Sequence, residues 1–369
     1  MYTDTEYISK EEADARKDAH MIRKLLAWML MLALMISAPA FVEGESGFEQ
    51  FLFIDCDTFL NGCAGLPITW TVIDVMNENA PEGTFTYRLM KDGEEISSQE
   101  TDQPIYQYTP DEGGAYWLEA EVLTSAGEEL LFSEEVLVSD KLYMGFFEQD
   151  RNEKTEDPIE WRILAVEDGR AFVLSEYVLK NGSYFNPEWI KYKYCYWSRS
   201  YIGEAGENNM RTGKKIMPTP DTVPLKDGSM GTDDDLYYVH VRKWLNDDFL
   251  HSAFSEAEQE RILLTHNENA DSPYGIEGGP DTDDYIFFLS LDELLTYLPE
   301  ERDRKCKMTK SALKEIGSKP QYYWLRNNGK WRCNAMYVYA DSGKHSTYGS
   351  DVGHSDLGYR PAMWISIGG

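Results

Sequence analysis

Basic residues are scarce in this chain: 35 Lys and Arg stand against 65 Asp and Glu, giving a formal charge of −30 at pH 7. Such an excess repels phosphate backbones and anionic headgroups, so nucleic acid is a poor candidate partner. Cysteine is sparse as well. The five cysteines form no CxxC and no Cys/His spacing of a zinc site. The six histidines, His20, His240, His251, His266, His345 and His354, are scattered, and no metal constellation can be read from them. No Cys follows the one long apolar run to accept a lipid, and no second apolar stretch or sorting motif stands near the C-terminus. Membrane attachment is therefore expected only through an uncleaved N-terminal segment.

That apolar run is Leu25 to Val42, after Arg23 and Lys24. Its h-region is nearer the length of a signal peptide than the roughly 20 residues of a spanning helix, and Ala38 and Ala40 frame Pro39 in a small-x-small cleavage pattern. Residues 1–40 thus read as an N-terminal extension and signal peptide. The alternative is an uncleaved anchor with its N-terminus inside. Either way the protein is expected to be extracellular or at the cell surface.

Aromatic residues are abundant, with 24 Tyr and 10 Trp. Most fill cores, yet such richness is also typical of surfaces that meet sugars or proteins through flat amphipathic rings. About 330 residues remain beyond the leader, enough for two domains.

Residues 41–64 read as a short linker in which Cys56 and Cys63 flank Asn61-Gly62, a turn signal; in an oxidising compartment they are expected to close a small disulfide loop. Residues 65–139 carry short strands at regular intervals: Ile68–Val75, Thr84–Met90, Ile105–Tyr108, Ala115–Leu123 and Leu130–Val138. The alternation in Thr84 to Leu89 and the turn at Lys91-Asp92-Gly93-Glu94 predict a β-sandwich. Tyr87 to Gly93 and Tyr108 to Tyr116 make the segment similar to bacterial immunoglobulin-like modules, which implies a spacer.

From residue 141 the pattern changes. Ile159–Val166 and Arg170–Ser175 form a predicted hairpin about Glu167-Asp168-Gly169. Asn208 to Asp235 is a long polar insert. Val239–Leu250 has helical spacing, with Asn246, Asp247 and Asp248 on its polar face; Ser255 with Glu258, and Ser290 with Glu293, read as capping boxes opening two helices, the second after an apolar strand Tyr285–Leu289. A short helix is expected over Lys310–Ile316, and aromatic strands alternate with polar turns from Tyr322 to Ile367. Residues 141–369 are thus expected to form an α+β domain.

These pieces, above all Ile159 to Leu164, Val241 to Phe249, Ile286 to Glu293, Trp324-Leu325-Arg326 and Gly358 to Ile365, resemble a bacterial family, domain of unknown function 6273, over about Tyr143 to Ile367. The ending is further similar to the C-type lectin-like fold shared by formylglycine-generating enzymes, which implies lectin-like binding or, alternatively, an oxidase or hydrolase. A third reading is a structural envelope component.

On the binding reading, the loops Ser200–Asp235, Asn267–Asp284 and Asp341–Tyr359 would meet a glycan or surface protein, with Tyr348, Tyr359, Trp331 and Tyr274 as contact residues because they stand outside any periodic core pattern. Asp281, Asp283 and Asp284 are the candidate calcium ligands, with Asp351 and Asp356 as further carboxylates. Arg326 and Arg360 read as buried structural arginines, Cys306 and Cys333 as a structural disulfide rather than a redox pair, and Cys195 as a small buried residue. Spacing singles out no catalytic residue.

Overall fold

The computed structural model describes residues 51–57, 62–75, 80–150, 156–182, 241–276, 278, 281–317, 321–331, 334–352 and 354–367. The leader, the insert at 208–235, Cys195 and Cys333 lie outside them. The chain divides into two compact units, passing from one to the other between Tyr143 and Met144. Both are β-rich.

The first unit contains β1 (Leu52–Asp57), β2 (Gly62–Cys63), β3 (Ile68–Asp74), β4 (Thr84–Lys91), β5 (Glu94–Thr101), β6 (Ile105–Tyr108), β7 (Gly114–Thr124), β8 (Gly127–Phe132) and β9 (Val136–Ser139). One sheet has the order β1-β3-β6; the other runs β2-β9-β7-β4-β5, with β8 following β9's edge of β7. Period-two alternation sets which side chains lie between them. Ile68, Trp70 and Val72 from β3 share one core with Phe85, Tyr87 and Leu89 from β4 and Tyr116, Leu118, Ala120 and Val122 from β7. Each large apolar side chain buried this way contributes about 1.5–3 kcal/mol. The β4–β5 turn holds Asp92 and Gly93 at φ 50° and 91°, the left-handed pair that an Asp-Gly hairpin requires.

Two features differ from the sequence pattern. Strands begin in the stretch read as a linker, since β1 pairs in full with β3 and places Leu52 and Ile54 in the core. Cys56 and Cys63 are free thiols, not a bridge. Cys56 stands opposite Trp70 in one sheet and Cys63 opposite Ser139 in the other, so pairing commits each to its own sheet. Burial, aided by Asp55 for Cys56 and by Asp140 for Cys63, pushes the thiols up to about 12 and about 11, which keeps them protonated.

The second unit starts with β10 (Leu142–Phe147), β11 (Asp157–Glu167), β12 (Arg170–Ser175) and β13 (Lys180–Asn181). A helical run follows: α1 (Val241–Lys243), a π-helical turn (Trp244–Phe249) and α2 (Leu250–Ala253). Then come α3 (Glu256–Arg261), β14 (Ile262–Leu263), β15 (Thr265–Asn267), β16 (Thr282–Asp284), α4 (Leu291–Tyr297), α5 (Glu301–Arg304) and α6 (Lys310–Ile316). The closing strands are β17 (Tyr322–Asn328), β18 (Asn334–Tyr339), β19 (His345–Asp351), β20 (Gly358–Tyr359) and β21 (Ala362–Ser366). Three sheets result, β10-β11-β12-β21-β14, β13-β20-β17-β18-β19 and β15-β16. Ser255 and Ser290 open α3 and α4 with complete capping boxes.

Tyr285–Leu289 is not a strand. It makes a single bridge, Phe287 with Ala362, and β16 lies just ahead of it. Side chains take over the ladder's role. Asn246 Oδ1 accepts from the Tyr285 and Ile286 N–H groups at 2.7 and 3.1 Å while its Nδ2 donates to Ile286 O at 3.0 Å. Asn246 thus turns inward from the π-helical turn, whereas Asp247 and Asp248 face Lys243, each at 2.6 Å.

Candidate functional site: an exposed aromatic cluster

Three chain segments converge at one end of the β17-β18-β19 sheet. The β17–β18 connection carries Lys330 and Trp331, β19 carries Thr347 and Tyr348, and the loop before β16 carries Tyr274. The connection is tied to β19 by Lys330 N–H donating to Tyr348 O at 2.9 Å, and closed by Gly329 N–H donating to Asn334 O at 2.6 Å. Gly329 is required there, because a Cβ would sit 2.4 Å from Tyr348 O. Gly349, at φ 80°, lets β19 bend past Ala335 just after Tyr348. In the loop, buried Ser272 organises a tight turn. Its Oγ accepts from Tyr274 and Ile276 N–H, both at 3.3 Å, and its own N–H donates to Ile276 O at 2.8 Å.

This scaffold brings together three of the four aromatic residues that the sequence singled out. Trp331 and Tyr348 have ring centroids 5.3 Å apart at 76°, and Tyr348 and Tyr274 are 6.3 Å apart at 74°. Tyr274 Oη is also 3.3 Å from Thr347 Oγ1. Edge-on packing of this kind fixes the rings against one another while leaving ring surface in water. All three are exposed: Tyr274 and Tyr348 at 44% and Trp331 at 37%. Lys330 completes the group, its Nζ 4.7 Å from the Tyr348 centroid and 5.6 Å from that of Trp331. Sequence reading passed over Lys330, although its place beside Trp331 in a turn was a usable signal.

Tyr359 is elsewhere. It is buried at 6%, packed on Trp244 at 5.1 Å and Phe288 at 5.5 Å, and belongs to the core. The reason is what covers its face of β20: the Trp244 and Phe288 rings pack over it and keep it from water.

The acidic triplet does not converge as a set: Asp281 and Asp283 both reach the His266 ring, at 3.6 and 2.8 Å, while Asp284 turns away from them. On β16 successive side chains alternate, so Asp284 turns in and Asp283 turns out. Asp284 Oδ1 accepts from Arg242 Nε and Nη2 at 2.9 and 2.7 Å, and its Oδ2 accepts from Thr282 Oγ1 at 2.8 Å. Asp283 lies 2.8 Å from His266 Nδ1, and Asp281 accepts from Asn269 N–H at 2.9 Å. Among the described residues no three His, Cys, Asp or Glu side chains are grouped to hold a metal ion.

Arg326 is clamped on Glu293, donating Nη2 to Oε1 at 2.9 Å and Nη1 to Oε2, while Nη1 also donates to Phe288 O at 3.1 Å. Glu293 meanwhile accepts from Ser290 N–H in the α4 capping box, so one carboxylate ties helix to strand. Arg360 donates Nε to Ser175 O at 2.9 Å, with Arg304 O and Glu176 O at 3.4 and 3.5 Å. Cys306 is a free thiol, its N–H donating to Ala340 O at 3.0 Å. Burial raises its titration, outweighing the opposite pull of the Arg360 and Arg162 guanidinium groups, so the thiol stays protonated.

Two histidines in this unit respond oppositely to their surroundings. Asp283 holds His266 above the ordinary imidazole range, whereas burial, then the Arg304 guanidinium, holds His345 below it. His345 sits at the start of β19, with Nδ1 3.3 Å from Arg304 Nη1. Its lowered native value means a stability contribution present above the unfolded value near pH 6.5 and lost as pH falls through the native one. An NMR titration of the imidazole protons is expected to place His266 above the ordinary value and His345 below it. The reverse order would reject both assignments.

The geometry can be set beside known proteins. Residues 234–367 match the family described as domain of unknown function DUF6273. The aromatic cluster and both arginines fall inside that span. Strands β10 to β13 fall before it, although β12 pairs with β21 and β13 with β20. The chain matches no curated protein. Among the described residues no helix is long and apolar enough to cross a membrane.

Proposed function

We propose that this is an exported or cell-surface binding protein whose second unit recognises glycans through Trp331, Tyr348 and Tyr274. The observation that carries the reading is the cluster itself: three large rings from separate segments, fixed edge to face, each more than a third exposed. Flat apolar ring surface with polar rims suits the faces of pyranose rings. The first unit, with two sheets over one core, supports an immunoglobulin-like spacer that holds the second away from its attachment. The aromatic closing strands with polar connections support a lectin-like relationship for the second unit, and the apolar leader supports export.

The test is binding of the full chain to a glycan array, with calcium and with chelator, repeated with Trp331→Ala/Tyr348→Ala. At about 1 kcal/mol for each stacked ring, the double variant is expected to bind roughly thirtyfold more weakly, with an unchanged melting temperature. A hit that survives the double substitution would remove the cluster from the function. A blank array in both conditions would remove glycan recognition.

A further inference from the structure

Lys330 has features that its neighbours in the cluster lack. Several basic side chains of the second unit are engaged by carboxylates: Arg326 by Glu293, Arg242 by Asp284, Arg162 by Glu176 and Lys243 by Asp247 and Asp248. Lys330 Nζ, by contrast, makes no ion pair and no side-chain hydrogen bond among the described residues; its only described partners are the faces of Tyr348 and Trp331. Of the acids in the Tyr274 loop, Asp271 accepts from Gly278 N–H and Asp281 from Asn269 N–H, both at 2.9 Å. In a chain with 65 acidic residues, a lysine with no carboxylate partner among the described residues, held over two exposed rings, is a site of the rarer sign.

Resting on the glycan reading above, we infer that the ligand is an anionic saccharide, with a sugar ring against Trp331 and Tyr348 and its carboxylate or other anionic substituent on Lys330. An ammonium carries three donors, and a ring face satisfies charge but accepts none of them in a strong hydrogen bond. A carboxylate at the edge of a stacked pyranose would supply the missing acceptors at the distance that the lysine already occupies. The chain's overall negative charge does not forbid this, because screening confines exposed charges to about 10 Å at 0.1 M salt. The same charge sharpens selection, since anions are repelled wherever no local cation receives them.

The experiment uses the full chain against oligomers of galacturonic acid, matched oligomers of galactose, phosphorylated galactose oligomers and oligoglutamate, at two salt concentrations. Galacturonate is expected to bind more tightly than galactose, and more weakly at the higher salt. Lys330→Gln should weaken galacturonate binding roughly three- to tenfold and change galactose binding by less than about twofold, with Lys330→Arg restoring most of the loss. Preference for the phosphorylated oligomer would keep the anionic sugar and assign the substituent as phosphate. Equal binding of galactose and galacturonate, or no effect of Lys330→Gln, would overturn the inference while leaving glycan recognition standing. Oligoglutamate bound as tightly as galacturonate would overturn the sugar assignment. Absence of binding to all four would overturn the inference, and the glycan array then decides whether glycan recognition falls with it.

Discussion

A fragment beginning at residue 234, the start of the family match, is expected to remain unfolded, whereas one beginning at residue 141 should unfold cooperatively. The shorter fragment lacks β10 to β13. Without β12, β21 loses its pairing from Ala362 to Ser366 along one whole edge. Phe172 disappears from a buried stack that places it 4.8 Å from Trp364, 5.9 Å from Phe287 and 5.1 Å from Tyr297. Trp161, which packs on Phe254 and donates Nε1–H to Met144 O, goes as well. So does the Gly182 carbonyl that receives Trp324 Nε1–H at 2.9 Å. Met144, Phe146, Ile159, Val173 and Leu174 are likewise buried and lost. At about 1.5–3 kcal/mol for each large side chain, the deficit of roughly 10–20 kcal/mol is as large as the 5–15 kcal/mol that a domain typically has. Near-UV circular dichroism and amide chemical-shift dispersion separate the two fragments. A well-dispersed spectrum from the shorter one would show that β10 to β13 decorate the domain without completing it.

Replacing Arg360 has the second largest expected effect. The guanidinium is 1% exposed and lies over the Tyr323 ring at 5.1 Å, with Ser175, Glu176 and Arg304 carbonyls around it. Tyr323 Oη donates to that same Arg304 carbonyl at 2.9 Å. Burial alone would disfavour the charge, but Cys306, Tyr323 and Glu176 together hold it above its ordinary range. Arg360→Met fills much of the volume yet takes the guanidinium donors from the Ser175 and Glu176 carbonyls, while Arg304 O keeps Tyr323, for an expected loss of about 3–5 kcal/mol. Arg360→Lys should lose nearly as much, since one ammonium cannot span a planar fork. The midpoint of urea unfolding measures both. An unchanged midpoint in Arg360→Met would mean that packing around Tyr323, not the fork, holds this region.

Local features of both units were legible because their causes are local. Alternation from Thr84 to Leu89 locates Phe85, Tyr87 and Leu89 in the core, and Asp-Gly at 92–93 and 168–169 supplies the left-handed turn pairs. Ser255 and Ser290 mark helix starts through contacts only three residues long. Partners distant in sequence were not legible. Nothing in Leu52 to Asp57 says that β3 will pair with it, and nothing in Tyr285 to Leu289 says that Asn246 will satisfy its backbone. The aromatic cluster falls between these cases. Tyr274, Trp331 and Tyr348 stand out by lying off any periodic pattern, and so does Tyr359, but only packing by segments distant in sequence decides which rings reach water.

The place of β21 also governs when the second unit can exist. This late segment is an interior strand, lying between β12 and β14 and pairing residue 172 with residue 364. Until it arrives, β12 and β14 have no neighbour between them and the Phe172 stack cannot close. Contacts so distant in sequence form late and slowly. On the export proposed above, a chain drawn through a narrow channel would therefore stay open and threadable along this unit until β21 had crossed.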